Sequence, residues 1–289
     1  MLYFEPNFVD EALVLLDRFG PDARVLAGGT RLRFALHPGD EAEKIALVNV
    51  KRISDMRGIQ RAGAFLRVGA LATAAALTAD EQARTFAPLL VRAAESLGAV
   101  QLRNVATVGG NICSGDPASD LSAALLAYDA RCEVASSQEQ SRIVAIEQLL
   151  SKRAPILASG ELLVAVEIPI GEHRCAYEKV MTRRAFEMAL VAVAARCRLE
   201  GDTLNDVHIA LAGAGETPLR AAGAEAWLRG RRLDEATATE AGRVAAVHDA
   251  KPVTDHRAGA EYRRHLVSVL TQRALLSMSS SPTSARSNL

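Results

Sequence analysis

The sequence predicts an α+β protein in two domains. One is N-terminal, over residues 1–172, in two parts of about 1–53 and 54–172. The other is C-terminal, over 173–277, with a small antiparallel sheet and helices. Three observations predict it. Up to Ile170, amphipathic helical stretches are interspersed with short apolar runs of strand type, and no internal repeat is visible. From Cys175 the pattern shifts to successive strands and then to helices. The chain has 289 residues, 49% of them apolar, enough to bury the cores of two domains.

Each element follows from local signals. Phe8 to Phe19 reads as an amphipathic helix: Ala12, Leu13, Leu15, Leu16 and Phe19 share a face, and Asp10 and Glu11 sit in its electropositive first turn. Gly20-Pro21-Asp22 stops it. Val25 to Ala27 is a short strand, and Ile45 to Val50 is a second. Between them Arg31 to Ala35 opens a helical turn that His37-Pro38-Gly39 breaks. Gly58 to Gly69 reads as a hairpin. Thr73 begins a helix that ends by Thr78 and Asp80. Pro88 to Ala99 is a stronger helix, with proline at its start and Gly98 near its end. Leu121 to Tyr128 is a helix capped by Ser119 or Asp120. Arg131 to Ala135 and Ser141 to Ala145 are strands around a polar turn, Ile146 to Leu150 a helical turn, and Glu161 to Ile170 a strand. Strands at Tyr177–Val180, Ala189–Glu200 and Asp206–Ala212 come next, then helices at Ala221–Arg229, Asp234–Val247 and Ala258–Ser277. Residues 278–289 are serine-rich, lack periodicity and read as a disordered tail.

Two stretches carry the chemistry. Gln101 to Asp120 contains Thr107-Val-Gly109-Gly110-Asn111 in what reads as a loop between apolar runs. Val25-Leu26-Ala27-Gly28-Gly29-Thr30 is an apolar strand running into a second Gly-Gly pair. Paired glycines let backbone approach a ligand where a Cβ would clash, and such loops aim N–H groups at an anion, pyrophosphate being the usual one. The plain alternative is a pair of tight turns with capping residues. Neither segment is a Walker loop or a Gly-x-Gly-x-x-Gly fingerprint. Two such loops would clasp one dinucleotide phosphate from two sides.

In order along the chain, these segments and several more resemble the FAD-binding medium subunit of the molybdenum hydroxylases, the family of xanthine dehydrogenase and carbon monoxide dehydrogenase. The matching residues are Leu26–Thr30, Val68-Gly69-Ala70, Gln101–Asn104, Thr107–Asn111, Pro117 to Asp120, Glu161 to Pro169, Lys179 with Arg183-Arg184, Gly213 to Arg220 and Tyr262–Arg264. The resemblance implies a FAD-binding domain of the vanillyl-alcohol-oxidase type. It implies that Val25, Leu26, Ala27, Gly28, Gly29, Thr30, Arg31 and Leu32, through to Arg33, wrap the FAD phosphates. Thr107, Gly109, Gly110 and Asn111 would complete the cradle. Asp120 would accept hydrogen bonds from the nucleotide half, Leu163 would pack on the cofactor, Lys179 would reach it from the second domain, and Leu97 would lie near the isoalloxazine. Two places depart from the family pattern. Arg31 is a cation where an acidic or small residue is common, and Cys113-Ser114-Gly115-Asp116 replaces smaller residues.

The rest of the sequence agrees with chemistry done by a bound cofactor. The 34 basic and 34 acidic residues give zero formal net charge, which argues against nucleic acid or an anionic membrane surface as partner. No apolar run approaches the roughly 18 residues of a membrane span, and no signal peptide is visible, so a cytoplasmic location is expected. The six histidines show no metal spacing. The four cysteines, Cys113, Cys132, Cys175 and Cys197, include no C-x-x-C pair. The resemblance implies that the molybdopterin cofactor belongs to a large partner subunit and two [2Fe–2S] clusters to a small one, in a dimer of heterotrimers. Electrons would pass from the clusters through FAD to an external acceptor. Three rivals stand beside this reading: a stand-alone FAD oxidase, which often carries flavin covalently on His or Cys; a flavin subunit of a 4-hydroxybenzoyl-CoA-reductase-like enzyme, whose cysteine-rich insertion is not seen here; and a phosphate-ligand-binding subunit without redox function.

Overall fold

The computed structural model describes residues 1–32, 44–138, 141–151, 156–183 and 188–280. The expected helical turn from Arg31 to Ala35, the break at 37–39, Arg33, Arg184 and residues 281–289 fall wholly or partly outside them. The chain forms two compact units. The first comprises 1–116 and 129–170, the second 117–128 and 171 onward. By contacts, residues 117–128 group with the C-terminal residues.

The first unit holds two sheets. Strands β1 (Leu2–Phe4), β2 (Ala23–Leu26) and β3 (Ala46–Asn49) form a parallel sheet in the order β1-β3-β2. Helix α1 (Val9–Phe19) buries Ala12, Leu13 and Leu16 and packs on β2 and β3. It stops at Gly20, whose φ of +49° favours glycine and whose N–H closes the last turn on the Leu16 carbonyl. Strands β4 (Ile59–Ala62), β5 (Phe65–Gly69), β6 (Arg131–Ser136), β7 (Arg142–Ala145) and β8 (Glu161–Pro169) form an antiparallel sheet in the order β4-β5-β8-β6-β7. β8 lies at its centre, and Leu162 to Val166 are all buried.

Five short helices follow β5: α2 (Ala74–Ala79), α3 (Glu81–Phe86), α4 (Pro88–Glu95), α5 (Val100–Arg103) and α6 (Val108–Cys113). Asp80 ends α2 and caps α3, accepting from the Ala83 N–H at 2.8 Å. α3 and α5 were not anticipated, and α4 is shorter than Pro88–Ala99. The loop expected around Gly109-Gly110 is also corrected. These glycines lie in the first turn of α6, where the Thr107 hydroxyl accepts from Gly110 N–H at 3.1 Å. Helical glycine costs about 1 kcal/mol relative to alanine. Packing explains its presence, because a Cβ on Gly109 would lie 2.8 Å from the Ala70 Cβ and 3.0 Å from the Ala70 carbonyl oxygen.

The second unit is one antiparallel sheet, β12-β11-β10-β9, made of β9 (Arg174–Val180), β10 (Val191–Glu200), β11 (Thr203–Ala212) and the two-residue β12 (Leu219–Arg220). Alternation splits the faces of β10. Val191, Val193, Ala195 and Cys197 join the core with Leu266, Val267 and Leu270 of the long helix α11 (Ala260–Ser280). On the other face Arg196 reaches the Ala127 carbonyl, at the end of α7 (Asp120–Ala127), at 2.6 Å. Helices α9 (Ala222–Leu228) and α10 (Glu235–Val244) complete the unit, and α8 (Ile146–Leu150) belongs to the first. The expectation of a tail from Met278 is corrected for its first residues, because α11 includes Met278 to Ser280. Met278 is 1% exposed, its carbonyl accepts from Arg174 at 2.8 Å, and its sulfur lies 3.8 Å from that of Cys197.

Candidate functional site

The site is built by lacing. The Ala70 N–H donates to Val164 of β8, and the segment after Gly69 then receives the chain that leads into α6. Ala74 N–H donates to Ala106, Val108 N–H to Ala72 and Gly109 N–H to Ala70, all at 2.8–3.0 Å. α6 thereby packs on β8. Against this frame comes the end of β2. A Cβ on Gly28 would run into the Val105 carbonyl, and Gly29 has φ of +75°. Glycine is required at both positions, at the first by close backbone approach and at the second by conformation.

Between these segments and β8 lies a cavity of about 860 Å³, of the size that holds a sizeable cofactor. Val25, Ala27, Gly28, Gly29, Thr30, Arg31 and Leu32 line one side, and Thr107, Gly109, Gly110 and Asn111 another. Leu163 lies on its floor with apolar neighbours such as Met56, Leu71 and Leu162. Leu26 turns under the loop instead, its Cδ1 3.2 Å from where a Gly29 Cβ would sit. The wall at 156–162 was not anticipated. Its one sequence signal is Gly160, with φ of +83° before β8. Cys113 also lines the cavity, and desolvation pushes its thiol up to about 12.

The two glycine segments offer different chemistry. Among the described residues, the backbone N–H groups of Gly28, Gly29 and Thr30 donate to no protein acceptor. They are donors in place for an anion. The expectation that the second segment also presents several open N–H groups is corrected. Those of Val108, Gly109, Gly110 and Asn111 bond to Ala72, Ala70, the Thr107 hydroxyl and the Thr107 carbonyl. At Gly109 and Gly110, α6 presents the cavity with main chain and no side chain, between Thr107 on one side and Asn111 and Cys113 on the other. An anion-binding turn, a bare wall and an apolar floor fit a dinucleotide that carries a pyrophosphate and flat rings.

Three expected site residues do not line this cavity. Leu97 is half-buried after α4. Asp120 and Lys179 lie in the second unit and are paired with each other. Lys179 Nζ is 2.8 Å from the Asp120 carboxylate, both side chains are buried, and Tyr177 donates to the same carboxylate at 2.5 Å. Sequence reading missed this pairing. Arg31, whose role was open, pairs with Asp116 at 2.8 Å.

Several residues of the later motifs hold the second unit together. Arg220 forks onto Glu225 at 2.6–2.7 Å, and Arg263 ties Leu190 to Asp255. Among the described residues no cluster of His, Cys, Asp and Glu has the arrangement of a metal site, and no helix is long and apolar enough to cross a membrane.

Fold and cavity together describe a subunit with a site of dinucleotide size, and comparison with known proteins places it among flavoproteins. The chain belongs to the FAD-binding medium subunits of the molybdenum hydroxylases. Residues 1–171 match the family described as the FAD binding domain in molybdopterin dehydrogenase, and 176–278 match the CO dehydrogenase flavoprotein C-terminal domain. The xanthine dehydrogenase FAD-binding subunit of Escherichia coli O157:H7 is 32% identical over 260 residues, covering 88% of each chain. The carbon monoxide dehydrogenase medium chain of Hydrogenophaga pseudoflava is 30% identical over 281 residues, covering 94% of this chain and 95% of the relative. A chain of the solved carbon monoxide dehydrogenase from Hydrogenophaga pseudoflava superposes with a TM-score of 0.89 over 96% of both chains, at 30% identity. One of quinoline 2-oxidoreductase from Pseudomonas putida 86 gives 0.87 over 96% of both, at 26% identity.

Proposed function

We propose that this chain is the FAD-carrying subunit of a heteromeric molybdenum-containing dehydrogenase. A large subunit would hold the molybdopterin cofactor and a small one the [2Fe–2S] clusters. The observation that carries the reading is the cavity edged by the open N–H groups of Gly28, Gly29 and Thr30 and walled by Gly109 and Gly110. Bound there, FAD would take electrons from the clusters of the partner and hand them to an external acceptor. Val25 and residues 27–32 would hold the pyrophosphate, with Leu26 supporting the turn from beneath. Thr107 fixes the start of α6 so that Gly109, Gly110 and Asn111 face the cofactor, and Leu163 packs against it. Leu97, Asp120 and Lys179 enter the proposal from the family resemblance alone.

In this reading residues 1–172 are the FAD-binding domain, 173–277 the C-terminal domain, and the assembly is a cytoplasmic dimer of heterotrimers. The test is to purify the full chain, denature it in acid and identify what is released. One FAD per chain in the supernatant is the expected result. Flavin retained by the denatured protein favours a covalent stand-alone oxidase, and absence of any flavin overturns the reading. Co-expression with candidate large and small subunits, followed by mass measurement of the complex, tests the assembly.

A further inference from the structure

Two charged residues on the two glycine-bearing segments meet in space. Arg31 follows the Gly28–Thr30 turn, and its Nη2 lies 2.8 Å from Oδ2 of Asp116. The main chain of Asp116 is tied to α6: its N–H reaches the Ser114 hydroxyl at 3.4 Å, and that hydroxyl donates to the Asn111 carbonyl at 2.8 Å. Gly115, with φ of +61°, makes the bend that brings Asp116 back. The Asp116 side chain is 9% exposed. That of Arg31 is 51% exposed and lines the cavity. The pair therefore joins the segment that presents open N–H groups to the segment that forms the bare wall.

We propose that Arg31 and Asp116 form an electrostatic clasp that sets the spacing of the two glycine segments and so positions the pyrophosphate of the bound dinucleotide. The proposal rests on the FAD reading and deepens it. A guanidinium carries five N–H donors in a fixed fork. Arg31 lines the same cavity as Gly28, Gly29 and Thr30. Asp116 holds the cation in place, which spares the binding step the cost of ordering a long side chain. Arg31 and Asp116 are thus positioning residues. Because the arginine is half exposed, salt screens the pair.

The experiment is a charge-swap cycle on the full chain. Apo protein is titrated with FAD by flavin fluorescence, and release rates are measured, at about 0.01 M and about 1 M salt, where the Debye length falls from roughly 30 Å to roughly 3 Å. Arg31→Asp and Asp116→Arg should each weaken binding about fivefold and speed release. The double variant should bind better than the sum of the single effects predicts, and that coupling should shrink at high salt. Circular dichroism and the apo melting temperature monitor the fold. If a reversal fails to fold, Arg31→Gln and Asp116→Asn carry the same cycle, with non-additive effects expected for a coupled pair. Single variants that bind like wild type, or a double variant no better than their sum, overturn the clasp and leave the FAD reading standing. Wild-type chain that binds no FAD removes both.

Discussion

Replacing Gly28 by alanine puts the cavity under a sharp test. The added methyl would overlap the carbonyl carbon and oxygen of Val105 and come within 3.3 Å of the Ala106 Cα. All three atoms are main chain, so no rotamer change relieves the clash. The end of β2 must move away from the segment that enters α6. Overpacking of this kind costs about 1–3 kcal/mol, and each kcal/mol lowers the melting temperature of a unit this size by roughly 2–4 °C. The same displacement pulls the N–H groups of Gly28 and Gly29 off the position of the phosphate. A hydrogen bond to a charged group is worth about 1.5–3 kcal/mol, so losing one weakens FAD binding roughly tenfold to hundredfold. Gly58→Ala is the control, because a Cβ there meets nothing within 4 Å. FAD titration and thermal melting of both variants give the answer. Gly28→Ala that binds FAD within twofold of wild type, or a Gly58→Ala defect of equal size, would refute the close-approach argument.

Three further outcomes are expected. Lys179→Met removes the cation that faces the buried Asp120 carboxylate and costs about 3–5 kcal/mol in urea unfolding, while adding Asp120→Asn recovers much of the loss; equal stability of single and double variants would contradict the pairing. Burial, followed by the neighbouring Arg196, lowers His173 to about 4 from an ordinary value near 6.5. The unfolded chain then binds the proton more readily, so stability present above about pH 6.5 is lost as the pH falls towards 4; His173→Gln should flatten that slope between pH 7 and 4.5, and an unchanged slope rejects the assignment. Burial pushes the Cys132 and Cys197 thiols up to about 12, so neither should react with a thiol reagent at pH 8 until the chain is unfolded, and rapid labelling of either in native protein would show that it is not sealed.

Much of the fold was legible because local signals and tertiary packing agree. Helix α1, with its apolar stripe and glycine stop, and the hairpin of β4 and β5 fall where the sequence puts them. The misses have two causes, a local preference overruled by distant partners and a residue that serves two elements at once. Serines after Ser277 read as a tail, yet Arg174, more than a hundred residues away, bonds the Met278 carbonyl and α11 runs on to Ser280. α3 was hidden because Asp80 serves two helices at once, so what looks like the end of one element is also the start of the next. Partnerships between side chains were least legible. Asp120 and Lys179, 59 positions apart, each look like a solvated or ligand-facing charge until the sheet brings them together.

The two Gly-Gly pairs show why a motif underdetermines chemistry. Both are followed by a short polar residue, and both border the cavity. What differs is what precedes them. Gly28-Gly29 leaves the end of a strand, where ladder hydrogen bonding stops, and the φ of +75° at Gly29 turns the chain so that its N–H groups find no acceptor among the described residues. Gly109-Gly110 comes two and three residues after Thr107, a capping hydroxyl at the spacing that begins a helix, and its N–H groups are consumed by that hydroxyl and by Ala70. The first pair is glycine because Gly28 approaches the Val105 main chain and Gly29 takes a left-handed conformation, and its N–H groups are left for an anion. The second is glycine for the sake of missing side chains, which lets α6 settle on Ala70 and leaves a smooth wall. A site that needs both an anion-binding turn and a close-fitting wall has obtained them from one dipeptide placed in two secondary-structure contexts. The Thr107 cap is the residue that tells the contexts apart.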